Sequence, residues 1–231
     1  LGNHPDWRFV VTSYNAKRAD RNSKAVRDIL SSPMYGRLFG ASSGAADPVM
    51  LSSDSRGQSL WSLAQPHTGG MMSAGVTGSI TGFDAQIVII DDPFAGRDDA
   101  ESQSQREKVV DWYQSQVYSR QQDGMAIILF HTRWHPDDLA GYLIKEMISN
   151  PKADQWEIVC LPALALDDTE YPTDAETQQR WMMDGVYLPM SDPLGRAPGE
   201  ALCPEMTSQE LLETIRENMN LYNWSSLYQQ M

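Results

Sequence analysis

Residues 86–93 read Gln-Ile-Val-Ile-Ile-Asp-Asp-Pro, and this stretch constrains the fold more than any other. Four consecutive β-formers make a short strand without a polar face, which belongs inside a mostly parallel sheet covered on both sides. Asp91 and Asp92 then fall at its C-terminal end, where open α/β sheets keep their ligands. Pro93 biases Asp92 away from helical geometry, so the strand stops at the acids and helix begins later. Carboxylates so placed need a cation or hydrogen bonds to stay charged. In a nucleoside triphosphatase the first acid of such a pair holds Mg²⁺, usually through water, and the second can polarise the attacking water. The alternative is a strand end capped by solvated acids.

The rest of the chain repeats the alternation. Trp7–Ser13 is a β-rich run, followed by a helical stretch over Ala16–Leu30 with Ala19, Val26, Ile29 and Leu30 on one side. Lys17, Arg21 and Lys24 form a basic stripe on the other side, which reads as a solvated face rather than a phosphate-contacting one. Residues 39–82, rich in Gly, Ser, Ala and Thr, read as hairpins or an extended connection. A helical stretch over about 99–120, an apolar strand Met125–Phe130, a helix opening near Pro136-Asp137-Asp138 and a strand Trp156–Cys160 follow. Residues 167–192 read as an acidic, turn-rich insertion, and Ser208–Asn218 resumes a helix. Short apolar strands alternating with helices give an α/β fold.

The longest uninterrupted apolar run, Met125–Phe130, falls far short of the roughly 20 residues of a membrane-spanning helix. Cys160 and Cys203 lie far apart, which argues against a disulfide scaffold or a cysteine zinc site and fits a reducing compartment. The net charge of −13 is uneven. Residues 1–150 carry 14 basic and 17 acidic side chains, whereas residues 151–231 carry 4 and 14. The front part can face a polyanion through a local basic patch, and the acidic end reads as solvated surface. The chain opens without an initiator Met, almost directly on a strand, so we read it as a piece of a longer polypeptide.

The strand Met125–Phe130 runs into His131-Thr132-Arg133-Trp134-His135. A polar Thr132-Arg133 pair at the end of the strand beside the acids could sense a terminal phosphate through hydroxyl and guanidinium. Arg133 could equally pair with Asp137 or Asp138 as a structural ion pair. His131 and His135 have helical i, i+4 spacing, but the strand ends at the first and Pro136 intervenes after the second. They share no helical face, and His135 reads as a satisfied polar residue near the helix start.

These residues together resemble the ATPase, or motor, domain of large terminase subunits from tailed bacteriophages. The matching pieces are residues 10–15, the loop Gly75–Gly82, the strand into Asp91-Asp92-Pro93, Asp111-Trp112-Tyr113, Thr132–His135 with Asp137–Gly141, Trp156–Pro162, Asp192–Arg196 with Pro198–Leu202, and Tyr228-Gln229-Gln230. They occur in the family's order and cover most of the chain outside 166–191.

The resemblance implies a P-loop NTPase-like, mostly parallel sheet flanked by helices, with a small C-terminal linker or lid subdomain. Residues 1–165 would be a partial ATPase core, and 166–231 an acidic insertion and linker subdomain leading to a nuclease domain. It implies ATP and Mg²⁺ as cofactors, with Asp91 as the Walker B magnesium acid acting through water. Asp92 would be the catalytic carboxylate that orients water, and Thr132 would lie in the coupling motif, followed by Arg133. The implied partners are double-stranded DNA, a portal protein, a terminase small subunit and further copies in a homo-oligomeric ring on the capsid, with no membrane. The implied place is the bacterial host cytoplasm, at the portal of the viral procapsid.

The sequence departs from the family pattern in places. No Gly-x-x-x-x-Gly-Lys-Ser/Thr occurs, although the family carries that loop upstream of the segment matching Trp7. The strand bearing that loop is central in the family's sheet, so a chain without it should show apolar strand edges. Phe83-Asp84 stands where many relatives have Arg-Gly. Two other readings compete. One is a helicase or other nucleic-acid-dependent P-loop ATPase. The other is a metal-dependent nuclease using Asp91, Asp92, Asp137 and Asp138, weakened because no lysine accompanies the acids and because Asp137-Asp138 suit a helix cap.

Overall fold

The computed structural model describes residues 1–231, the side chain of Arg56 excepted. The chain divides into two compact units, Leu1–His131 and Thr132–Met231.

The first unit is built on a six-stranded sheet: β1 Arg8–Ser13, β2 Leu51–Arg56, β3 Leu60–Leu63, β4 Gly70–Gly75, β5 Ile87–Asp91 and β6 Ala126–Phe130. Their order is β2-β3-β4-β1-β5-β6. Strands β4, β1, β5 and β6 run parallel, and the antiparallel meander β2-β3-β4 occupies one edge. The Gly/Ser-rich stretch therefore supplies hairpins whose last strand enters the parallel part of the sheet. The α/β class expected from the strand–helix alternation is the observed one.

Helix α1, Ala16–Leu30, has the bounds read from its sequence because Asn15, in extended geometry, accepts the backbone N–H of Arg18 as N-cap. It lies on one face of the sheet and, with α2 (Pro33–Leu38), encloses a core of Val11, Leu30, Val49, Trp61, Leu63 and Met71. Ala19, Val26 and Leu30 face inward as expected, while one expected residue departs and one polar residue joins them. Ser23 is fully buried, whereas Ile29 is 62% exposed. The reason is polar: the Ser23 hydroxyl accepts from the Trp61 indole at 2.9 Å and donates to the Gln58 carbonyl at 3.2 Å. Alternate residues Val10, Thr12, Val88 and Ile90 face the other side and are also buried.

The helical stretch after β5 is broken into pieces. Helix α3 covers Arg97–Glu101 and α4 covers Gln103–Trp112, with Ser102 in extended geometry between them. A π-helical turn, Tyr113–Val117, and a 3₁₀ turn, Tyr118–Arg120, complete it. These pieces bury Val109, Trp112, Tyr113 and Val117.

Strand β6 is the free edge of the parallel part. Ile128 is 38% exposed and Phe130 59% exposed.

The second unit is helical and irregular. It holds α5 Leu139–Ser149, α6 Ala175–Met183, α7 Gln209–Asn218 and α8 Leu221–Trp224. Trp156–Cys160, expected as a strand, forms none, and the nearest β pairing is the isolated bridge between Leu164 and Ala201. An apolar run becomes a strand only where another strand can take its backbone groups, and no neighbouring strand pairs with this one. Within the acidic stretch 167–192 the chain forms α6, whose N-cap Asp174 accepts from the Thr177 N–H. Two small cores hold the unit: Cys160, Leu166, Tyr171 and Leu188, and Leu164, Ala201, Leu212 and Trp224. Burial pushes the Cys160 thiol up to about 11, against the nearby Arg133 guanidinium, so it stays a neutral core group.

Candidate functional site

The parallel register lines up the C-terminal ends of four strands. Ser13 of β1 is paired with Gly75 of β4 on one side and Asp91 of β5 on the other, and Asp91 is paired with Phe130 of β6. The two acids singled out in the sequence thus sit at the same edge as the ends of β4, β1 and β6.

Asp91 points to the α1 side of the sheet. The Asn22 side-chain amide donates to Asp91 Oδ2 at 2.7 Å, and the Arg18 Nε lies 3.7 Å from the same oxygen. Asn22 and Arg18 are one helical turn apart, so a single face of α1 serves both contacts. That face is fixed in rotation by the buried Ala19 and Ser23 and by the Ser73 hydroxyl, which donates to Asp20 at 2.6 Å. Sequence reasoning missed Asn22 and Arg18. Their signal is weak but present: polar side chains at i and i+4 on the inward half of the helix that follows β1.

The Asp91 side chain is 23% exposed. Mg²⁺ characteristically takes one or two carboxylates and keeps several waters for the remaining positions. Asp91 fits that mode, with one oxygen held by the Asn22 amide beside the Arg18 guanidinium and the side chain partly open to water. The adjacent Ser13 hydroxyl is buried and has no hydrogen-bond partner among the described residues. No group of three or more His, Cys, Asp or Glu side chains able to hold a metal occurs among the described residues, so Asp91 is not part of an all-protein cage.

Asp92 leaves the strand in left-handed geometry, with φ of 48°. Asp tolerates that region better than most residues. Its N–H donates to the Phe130 carbonyl and its carbonyl accepts the Tyr14 N–H, both at 2.9 Å. The strand stops at the acids, as the position of Pro93 suggested, with Asp92 in a left-handed turn outside right-handed helical geometry.

The loop after β4, Val76–Gly82, stands at this edge too. Thr77, a β-branched residue, has φ of 72°, and the Trp112 indole donates to the Gly78 carbonyl at 3.2 Å. The Arg8 guanidinium lies over the aromatic ring of Phe83, 5.8 Å from its centroid.

Thr132 and Arg133 open the second unit. Thr132 is half-buried. Arg133 donates through Nε to Asp138 at 3.1 Å and through a terminal nitrogen to the Gly185 carbonyl at 2.7 Å. Asp138 is fully buried and is the N-cap of α5, accepting the Gly141 N–H at 2.9 Å. Asp137 pairs with Lys145, and His135 accepts the Asp137 N–H through Nδ1 at 2.9 Å. Arg133 therefore makes the structural ion pair that the sequence left open, and His135 is the satisfied polar residue expected. Gly141 is required here, because a Cβ at that position would lie 1.8 Å from the Pro136 carbonyl oxygen.

The profile of the family described as "Terminase large subunit, T4likevirus-type, N-terminal" matches residues 52–222. A comparison with curated proteins finds no match.

Proposed function

From the premise that this chain belongs to the T4-like family of terminase large-subunit N-terminal regions, we propose that it is part of a viral DNA-packaging motor ATPase. In this reading it couples ATP hydrolysis to movement of double-stranded DNA into the capsid. The observation that carries the reading is the Asp91-Asp92 pair at the C-terminal edge of the parallel strands, with Asp91 gripped by Asn22 and Asp92 held in a left-handed turn.

Asp91 would hold Mg²⁺ through water, and Asn22 keeps its carboxylate in one orientation. A metal held there would supply positive charge to offset that of a nucleotide's phosphates. Asp92 would accept a hydrogen bond from the attacking water, and its backbone, tied to Tyr14 and Phe130, sets where that carboxylate points. Thr132 would sense the terminal phosphate, with Arg133 anchoring its segment to Asp138 and Gly185. The phosphate-cradling loop would come from outside the 231 residues, and so would a nuclease domain. A portal protein, a small subunit and further copies in a ring on the procapsid, in the host cytoplasm, belong to the same reading.

The nuclease alternative is disfavoured by a specific contact: Asp138 is committed to its cap and to Arg133.

The test is a pair of substitutions in the complete subunit. Asp91→Asn should weaken Mg-ATP binding, whereas Asp92→Asn should leave binding largely intact and cut turnover by about 10² or more. Full ATPase activity in Asp92→Asn would overturn the assignment.

A further inference from the structure

Outside the acid pair, α1 is the element whose charge runs against the rest of the molecule. It carries five basic and two acidic side chains in 15 residues, in a chain of net charge −13. Residues 132–231, by contrast, carry 6 basic and 17 acidic side chains. Both acids of α1 are engaged locally, Asp20 by the Ser73 hydroxyl and Asp28 by Lys24 at 3.1 Å. The Lys24–Asp28 pair is exposed on both sides, a kind of contact that salt readily screens.

The sequence alone made Lys17, Arg21 and Lys24 a solvated stripe. The structure adds a rotational lock. Ala19 and Ser23 are buried, Asp20 is bonded to Ser73 and Asn22 to Asp91, so the opposite side of the helix cannot turn inward. Lys17, Arg21 and Lys24 all stand exposed on that side. We propose that this outer face of α1 binds the phosphate backbone of duplex DNA, the helix at the same time touching Asp91 through Arg18 and Asn22.

The proposal rests on the packaging-motor reading and names the surface that would meet its polymer. From Lys17 to Lys24 the helix rises on the order of 10 Å, and duplex DNA offers a charge about every 1.7 Å along its axis, so the three cations can each find a phosphate. Point charges on flexible stems contact phosphates and read no bases, which suits a machine that must grip any sequence. An acidic face of a second copy is the rival occupant.

The experiment is fluorescence polarisation of a labelled 30-base-pair duplex of mixed sequence, titrated with the 231-residue chain at KCl concentrations from about 25 to 200 mM, without nucleotide. The chain should bind, with log affinity falling against log salt at a slope of about −2.7 for three phosphate contacts. Lys17→Glu/Arg21→Glu/Lys24→Glu should lose at least 10-fold at the lowest salt and flatten that slope. Lys108→Glu/Lys152→Glu/Arg216→Glu, with the same change of net charge on other exposed positions, should keep the wild-type behaviour. Circular dichroism shows whether each variant folds, and single Lys17→Glu and Arg21→Glu changes, each costing a share, serve if the triple does not. No duplex binding by the chain, equal losses in both triple variants, or unchanged affinity in the α1 variant would overturn the proposal. So would loss of self-association in the α1 variant on sedimentation with duplex binding intact, which would make a second copy the partner. Because no ATP is present, these outcomes are separate from failure of the acid-pair assignment, which is read by turnover.

Discussion

The side-chain amide of Asn22 donates to the carboxylate of Asp91 at 2.7 Å, joining two residues 69 positions apart in sequence. The amide fixes the orientation of the carboxylate, as hydrogen-bonding groups around metal ligands do, and the Arg18 Nε stands 3.7 Å from the same oxygen. In a subunit competent to bind nucleotide, Asn22→Ala should raise the Mg²⁺ concentration needed for half-maximal nucleotide binding on the order of 10-fold. Fluorescent-nucleotide titration at a series of Mg²⁺ concentrations measures this. An unchanged Mg²⁺ requirement would leave Asn22 a packing residue.

Asp138 has two duties, as cap of α5 and as counter-ion to a guanidinium that is itself only 13% exposed. Asp138→Ala strands that charge and removes the cap together, and should cost about 3–5 kcal/mol in urea denaturation. The double variant Asp138→Ala/Arg133→Met should recover part of the loss, since no unpaired charge then remains. A loss under about 1 kcal/mol in the single variant would show that water reaches Arg133.

The Asp192–Arg196 pair gives a pH signature. Burial by itself would raise the Asp192 carboxyl, but hydrogen bonds from the Arg196 guanidinium and from the Arg196 and Leu194 N–H groups outweigh it and hold it below the ordinary carboxylate range. A depressed folded-state value means stabilisation that is complete above the unfolded value, about 3.9, and is lost as pH falls through the folded one. Acid titration of the wild type should therefore show a destabilising step below about pH 4, and Arg196→Ala should shrink that step. Equal acid sensitivity in both would remove the pair from the account.

Strand β6 offers an uncovered apolar edge, with Phe130 more than half exposed. Natural sheets blunt such edges with charge. Phe130→Lys should delay thermal aggregation and raise the soluble fraction of the isolated chain, as light scattering would record. If aggregation is unaffected, another surface nucleates it.

What the sequence made legible was what is local. The bounds of α1 follow from its Asn15 cap, and β5 and β6 follow from runs of β-formers ended by polar residues. The acid pair at the end of β5 was readable because strand ends and Pro93 are local signals. Asn22 was not, since its role exists only once α1 folds back over β5. Trp156–Cys160 failed for a related reason, because an apolar run says nothing about whether a partner strand stands beside it. The burial of Ser23 was not readable either, because its hydroxyl serves Trp61 and Gln58, a demand invisible to an apolar periodicity.

The backbone of Asp92 is pinned at both ends, its N–H to the last residue of β6 and its carbonyl to the residue that follows β1. Its left-handed φ of 48° lets one residue satisfy both strand ends. The acid read as catalytic is therefore placed by two strand ends at once, and its backbone takes its position from the sheet itself rather than from a loop.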